Sequence, residues 1–250
     1  MNDFATYKKI LTVTSGLVDE GSHLNVTSAM ELFQDSVTEQ CEKLKVSNFI
    51  LRDKLNAFWV VTKNKLVIDR MPFFGERIIL ETFPSKPSSR FCNWNCIALD
   101  SDEEPLWTAK SEMCILDFES QSVMRMKSTC FPMDLAFREP LDIAFDRIKP
   151  PENSEYIYTH QVRASDIDMS HHTNNVRYNS IAMDAFTCAE ITEMKLRDYQ
   201  IDFVTQSHEG DELEIYRTHA DGGWIISGIA SSDKRIVFSV KMSALQQSDK

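Results

Sequence analysis

Two stretches of this chain carry one spacing of reactive side chains. Asp168-Met169-Ser170-His171-His172-Thr173-Asn174 and Asp19-Glu20-Gly21-Ser22-His23-Leu24-Asn25 both read Asp-x-small-x-His-x-Asn, 149 residues apart. The later copy is the richer, setting a carboxylate, a hydroxyl, two imidazoles and the amides of Asn174 and Asn175 ahead of a helix. Asp168 or His172 could act as general base toward a water. Backbone N–H groups at the helix start could receive a developing oxyanion. Taken singly, Asn174 or Asn175 is a helix cap and Asp168 a turn former. The whole set, repeated at the same spacing, is what points to chemistry.

A second echo follows each copy. Leu66-Val67-Ile68 with Gly75-Glu76-Arg77-Ile78 answers Ile201-Asp202-Phe203 with Gly210-Asp211-Glu212-Leu213, now 135 residues apart, so the second copy is fourteen residues shorter between its landmarks. Two long copies predict a duplicated domain rather than a solenoid of short units.

The elements that must position these residues also come twice: strand, turn, long helix, then strands. In the first half Thr27-Ser28 is the expected cap, and Ala29, Leu32, Phe33, Val37, Cys41 and Leu44 recur at helical spacing. Strands are predicted at Phe58–Ile68, Ile78–Phe83, Phe91–Leu99 and Leu106–Phe118. In the second half Tyr156–Val162 alternates like a strand, and Tyr178, Ile181, Ala182, Ala185, Phe186 and Ala189 stripe one helix. Further strands are predicted at Tyr199–Val204, Glu212–Thr218, Trp224–Ala230 and Arg235–Met242. Phe131–Glu155, with Pro132, Pro140, Pro150 and Pro151 among charges, reads as a linker. The expected division is therefore residues 1–130, a linker 131–155 and residues 156–250. The expected class is α+β: two long central helices against one continuous, curved, double-length antiparallel sheet.

Composition narrows the class of function. Hydrophobic residues at 42% and charged residues at 26% over 250 positions suit a soluble globular protein. The N-terminal stretch Met1–Lys9 has no apolar signal core, and no run approaches the ~18 apolar residues of a membrane span. A net charge of −11 argues against nucleic acid as the main partner. The six cysteines lie mostly in apolar runs, as reduced thiols of a cytoplasmic protein would. Cys92 and Cys96 share a strand face but lack the spacing of a zinc site. Only 7 glycines, with no Gly-x-Ser-x-Gly elbow, phosphate loop or dinucleotide fingerprint, disfavour nucleotide folds.

The segment Asp168-x-Ser170-x-His172-x-Asn174-Asn175-Val176-x-Tyr178 resembles the Asp-x-Asn-x-His-x-Asn-Asn-x-x-Tyr motif of bacterial and plant acyl-acyl carrier protein (acyl-ACP) thioesterases. Phe58-Trp59-Val60-Val61, Ile68-Asp69-Arg70-Met71-Pro72, Gly75-Glu76 and Leu80-Glu81-Thr82-Phe83-Pro84 resemble that family's first domain, so the likeness spans nearly the whole chain. It implies a tandem, or double, hotdog fold. It further implies a thioester hydrolase that releases free fatty acid from acyl-ACP in fatty acid biosynthesis, using water and no metal or organic cofactor. The acyl chain is then expected mainly in the first domain and the catalytic residues in the second.

The family's catalytic set falls on Asp168, Ser170, His172 and Gln206. Two of these depart from its pattern, Ser170 standing for Asn and Gln206 for an acid. Gln206 can hold a water but cannot take its proton, so base work would pass to His172 or Asp168, unless His208 or Glu209 enters the site. The matching position in the first copy is Met71. Substrate binding is expected at Asn174, Asn175, Arg177 and Trp59. The expected partner is an acyl carrier protein bearing an acyl-phosphopantetheine, docked on local cations such as Lys63, Lys65, Arg70, Arg77, Arg163 or Arg177; a homodimer is left open. The rival readings are an acyl-CoA thioesterase of the same fold, a hotdog dehydratase and a non-catalytic acyl-binding protein.

Overall fold

The computed structural model describes residues 5–151, 153–220 and 222–244, so Met1–Phe4 of the stretch read for a signal core lie outside it. The first half runs β1 (Tyr7–Thr12), α1 (Val26–Lys43), α2 (Asn48–Leu55), β2 (Ala57–Ile68), β3 (Arg77–Pro84), β4 (Phe91–Leu99) and β5 (Pro105–Asp117). The second runs β6 (Glu155–Gln161), α3 (Asn175–Met183), α4 (Cys188–Met194), β7 (Leu196–Phe203), β8 (Glu212–Ala220), β9 (Gly223–Ala230) and β10 (Ile236–Ala244). The predicted strands are all present.

Hydrogen bonds order them β1-β3-β4-β5-β2-β7-β10-β9-β8-β6 in one ten-stranded sheet. The order β1-β3-β4-β5-β2 is matched by β6-β8-β9-β10-β7, strand for strand, so the duplication read in the sequence is a duplication of topology. The registered neighbours β1/β3, β3/β4, β4/β5, β6/β8, β8/β9, β9/β10 and β10/β7 run antiparallel.

Two compact units result. The first holds the described residues up to Asn64 together with Asp69–Ala144; the second holds Lys65–Ile68 and the described residues from Phe145 onward. In the first, α1 packs on β3 and β1, burying Ala29, Met30, Phe33, Val37 and Cys41. Each such side chain, fully buried, contributes roughly 1.5–3 kcal/mol for the larger residues. In the second, α3 packs on β9 and buries Val176, Tyr178, Ile181 and Ala182.

Three local readings change. The cap of α1 is Asn25 rather than Thr27-Ser28: its side chain accepts the Ser28 N–H, which makes Ser28 a recipient of the cap. A short helix, α2, follows α1 behind Ser47. The single long helix expected in the second half is instead two, because Thr187 and Glu190 close a capping box that starts a new helix after Asp184 ends α3. The apolar stripe from Tyr178 to Ala189 runs straight across that break, which is why periodicity missed it.

Candidate active site

The repeated motif folds into the same hydrogen-bonded turn in both copies. Asp168 N–H donates to the His172 carbonyl at 3.0 Å and His171 N–H to the Asp168 carbonyl at 3.1 Å; Asp19 N–H donates to His23 at 2.8 Å and Ser22 N–H to Asp19 at 3.0 Å. His171 and Ser22 take the left-handed backbone that closes each turn, both at φ 62°. Single β-bridges, Ile167 to Thr173 and Val18 to Leu24, hold the two ends together. The carboxylates serve the turn itself. Asp168 Oδ1 accepts the Ser170 N–H at 2.8 Å, and Asp19 Oδ1 accepts the His23 N–H at 3.0 Å. Asn174 then caps α3, its side chain accepting the Val176 N–H at 2.9 Å.

A second loop closes on this turn in each unit, again by one rule. Thr173 N–H reaches the Ser207 carbonyl at 2.9 Å, as Leu24 N–H reaches the Pro72 carbonyl at 2.9 Å. Gly210 (φ 90°) and Gly75 (φ 83°) make the same turn in positive-φ backbone open to glycine, with N–H groups on the Val162 and Val13 carbonyls. His208 N–H donates to Asp211 Oδ2 at 3.0 Å where Phe73 N–H donates to Glu76 Oε2 at 2.9 Å. Gln206, Ser207 and His208 therefore stand where Met71, Pro72 and Phe73 stand in the first copy.

His172 is half-buried, and its ring meets that of His208 edge to face with centroids 4.9 Å apart. Burial pushes its pKa below an ordinary imidazole's; the neighbouring His208, and less strongly His171, push the same way, against the pull of Asp168. A lowered pKa leaves the ring neutral and able to accept a proton at neutral pH.

The structure brings Asp168, Ser170, His172, Asn174 and Asn175 together in the turn and the first residue of α3. Ser170 is exposed with its backbone N–H spent on Asp168, leaving its hydroxyl. Gln206 lies in the loop after β7, exposed, with its carbonyl 3.4 Å from Arg235 Nη2. Arg177 is exposed on the first turn of α3. Trp59 is a buried residue of the first unit, donating from Nε1 to the Val46 carbonyl at 2.8 Å and packed edge to face on Phe131. Sequence reasoning does not reach every residue of this site. His208 was named only as an alternative, and Thr173 and Ser207 not at all. The 135-residue offset, which aligns His208 with the ring of Phe73, was the signal available. Among the described residues no three His, Cys, Asp or Glu side chains gather as metal ligands would.

The Acyl-ACP thioesterase N-terminal domain matches residues 5–133 and the Acyl-ACP thioesterase C-terminal domain residues 149–246. Among solved structures, an acyl-ACP thioesterase from Bacteroides thetaiotaomicron superposes with a TM-score of 0.87 at 19% identity, covering 96% of this chain and 97% of that one. The 12:0-ACP thioesterase from Umbellularia californica gives 0.81 at 14% identity and covers 96% of each chain. At such identities these structures establish a shared fold. No curated protein sequence matches the chain.

Proposed function

The chain belongs to the acyl-ACP thioesterase family, and from that premise we propose that the His172 turn is its catalytic site. As a thioester hydrolase of that family it releases free fatty acid from acyl-ACP. His172, neutral by burial, takes a proton from water as the oxygen attacks the thioester carbonyl carbon. The tetrahedral oxyanion is received by the Asn175 backbone N–H, which precedes the first hydrogen bond of α3, and by the Ser170 hydroxyl. Collapse breaks the carbon–sulfur bond, and the imidazolium returns its proton to the departing pantetheine sulfur. Asp168 fixes the turn and opposes the charge that His172 acquires. Gln206 holds the water by its amide. Asn174 shapes the helix start against which the substrate carbonyl lies.

The observation that carries this reading is the asymmetry of the copies. Both units build the same turn on the same backbone hydrogen bonds, but only the second has Ser170, Asn175, Gln206 and His208 at the matching places. The first has Gly21, Val26, Met71 and Phe73 at those places. We assign the acyl chain to the first unit, with Trp59 among the residues that shape its apolar interior, and the reaction to the cytoplasm, where the six free thiols stay reduced. A panel of acyl-ACP and acyl-CoA thioesters of graded length tests the proposal. Turnover should favour the carrier-bound substrates and fall by ~10²-fold or more in His172→Ala; full turnover in that variant would end the assignment, and preference for CoA would replace the carrier.

A further inference from the structure

Behind the two histidines runs a closed chain of buried hydroxyls. Ser207 is fully buried, Tyr178 is 3% exposed and Thr173 is 4% exposed. Ser207 Oγ lies 2.7 Å from Thr173 Oγ1 and 2.8 Å from the Tyr178 hydroxyl. Ser207 N–H donates to the Tyr178 oxygen at 3.1 Å, and Thr173 Oγ1 lies 3.2 Å from the Ser207 carbonyl as donor. One proton order satisfies every group. The Ser207 amide donates to Tyr178, Tyr178 to Ser207 Oγ, Ser207 Oγ to Thr173, and Thr173 to the Ser207 carbonyl. Each hydroxyl gives one hydrogen bond and accepts one.

We propose that this Thr173–Ser207–Tyr178 chain is a positioning device that locks the turn carrying His172 to the loop carrying Gln206 and His208. Thr173 follows His172 directly, and Ser207 sits between Gln206 and His208. Tyr178 anchors the chain in α3, with its ring tilted against Phe238 and Phe203 at 5.3 and 6.0 Å. The first copy shows that the fold itself does not need it. Leu24, Pro72 and Ala29 occupy the three matching places, and there the two loops are joined without any hydroxyl, by the backbone bonds from Leu24 N–H to the Pro72 carbonyl and from Phe74 N–H to the Ser22 carbonyl. In the second copy the backbone bond from Thr173 to Ser207 fixes one point of contact. The hydroxyl chain adds side-chain bonds on both sides of Ser207 and so restricts how the two loops can slide. Buried polar groups that satisfy one another in this way rigidify a site.

The inference rests on the thioesterase reading, and its test is arranged to separate the two. Thr173→Val keeps volume and the backbone bond but removes one hydroxyl; Thr173→Ser keeps the hydroxyl; Tyr178→Phe removes the anchor. In Thr173→Val, kcat should fall at least tenfold on a short pantetheine thioester with KM within about twofold, and the NMR titration of the His172 ring should shift. Thr173→Ser should restore both. Thr173→Val with wild-type kcat would overturn the positioning role, even with a lowered melting temperature. Should Tyr178→Phe fail to fold, Thr173→Val decides alone. A wild-type protein inactive on every thioester would instead remove the functional premise, and the His172 titration in Thr173→Val against Thr173→Ser would then judge the lock by itself.

Discussion

His208 meets His172 edge to face at 4.9 Å in the place where Phe73 meets His23 at 5.3 Å. The fold puts a ring beside the turn histidine in both units, and in the second unit that ring is an imidazole. A charged His208 discourages a second positive charge on His172, adding to the effect of burial. His208→Gln removes the charge and leaves the burial. The acid limb of the kcat/KM–pH profile should therefore move to higher pH in that variant, by part of the whole depression. A limb that stays in place would mean that the two rings are electrically independent. The same sign governs stability. His172 binds its proton less readily folded than unfolded, so its contribution is intact above the ordinary imidazole value of 6.5 and is lost as pH falls below it.

His172→Ala should lower kcat by ~10²-fold or more, the usual range for a lost general base, with the melting temperature nearly unchanged because the ring is only half-buried. His23→Ala should cost far less activity. Its ring packs on Phe73 in a copy whose surrounding positions are apolar or lack side-chain donors. Steady-state kinetics on one acyl-ACP substrate compares the two directly, and equal losses would mean that the copies divide the chemistry differently.

Much of this site was legible because the chain carries its own comparison. The Asp-x-small-x-His-x-Asn spacing located both turns, and the shift in offset from 149 to 135 placed Gln206 against Met71, a register that the Thr173–Ser207 and Leu24–Pro72 hydrogen bonds reproduce. The helix break at Asp184–Thr187 was hidden because Ala185 and Phe186 stay buried on the same stripe, so hydrophobic periodicity passes through it. The hydroxyl chain was hidden for a different reason. Thr173, Ser207 and Tyr178 are ordinary residue types, and only folding brings Ser207 to residues about 30 positions away. Trp59 is expected from the resemblance to bind substrate, and folding adds what the motif does not carry, an indole N–H bonded to the Val46 carbonyl and a ring edge to face with Phe131.

Gln206 is the sharpest departure from the family's pattern. An amide there can orient water but cannot take its proton. Gln206→Glu should preserve or raise kcat, because a carboxylate near His172 favours its protonated form during the reaction. Gln206→Ala should lower kcat several-fold. Unchanged turnover in the alanine variant would show that the exposed amide plays no part with the attacking water.

Arg177 offers a test of how the carrier docks. An acyl carrier protein is typically acidic, and this chain carries −11, so the overall charges repel and attraction must come from a local cation. Of the cations named for docking, Arg70 is committed to Glu76 and Asp100, and Lys65 to Asp146 and Asp198. Arg177 is exposed on the first turn of α3, three residues beyond the cap Asn174. Reversing it to Glu should raise KM for an acyl-ACP substrate several-fold and leave a short pantetheine thioester nearly unaffected. Added salt should shrink the difference, since exposed charges are screened over about 10 Å at 0.1 M. If both substrates lose equally, Arg177 serves the chemistry or the fold, and docking lies on other cations such as Arg163.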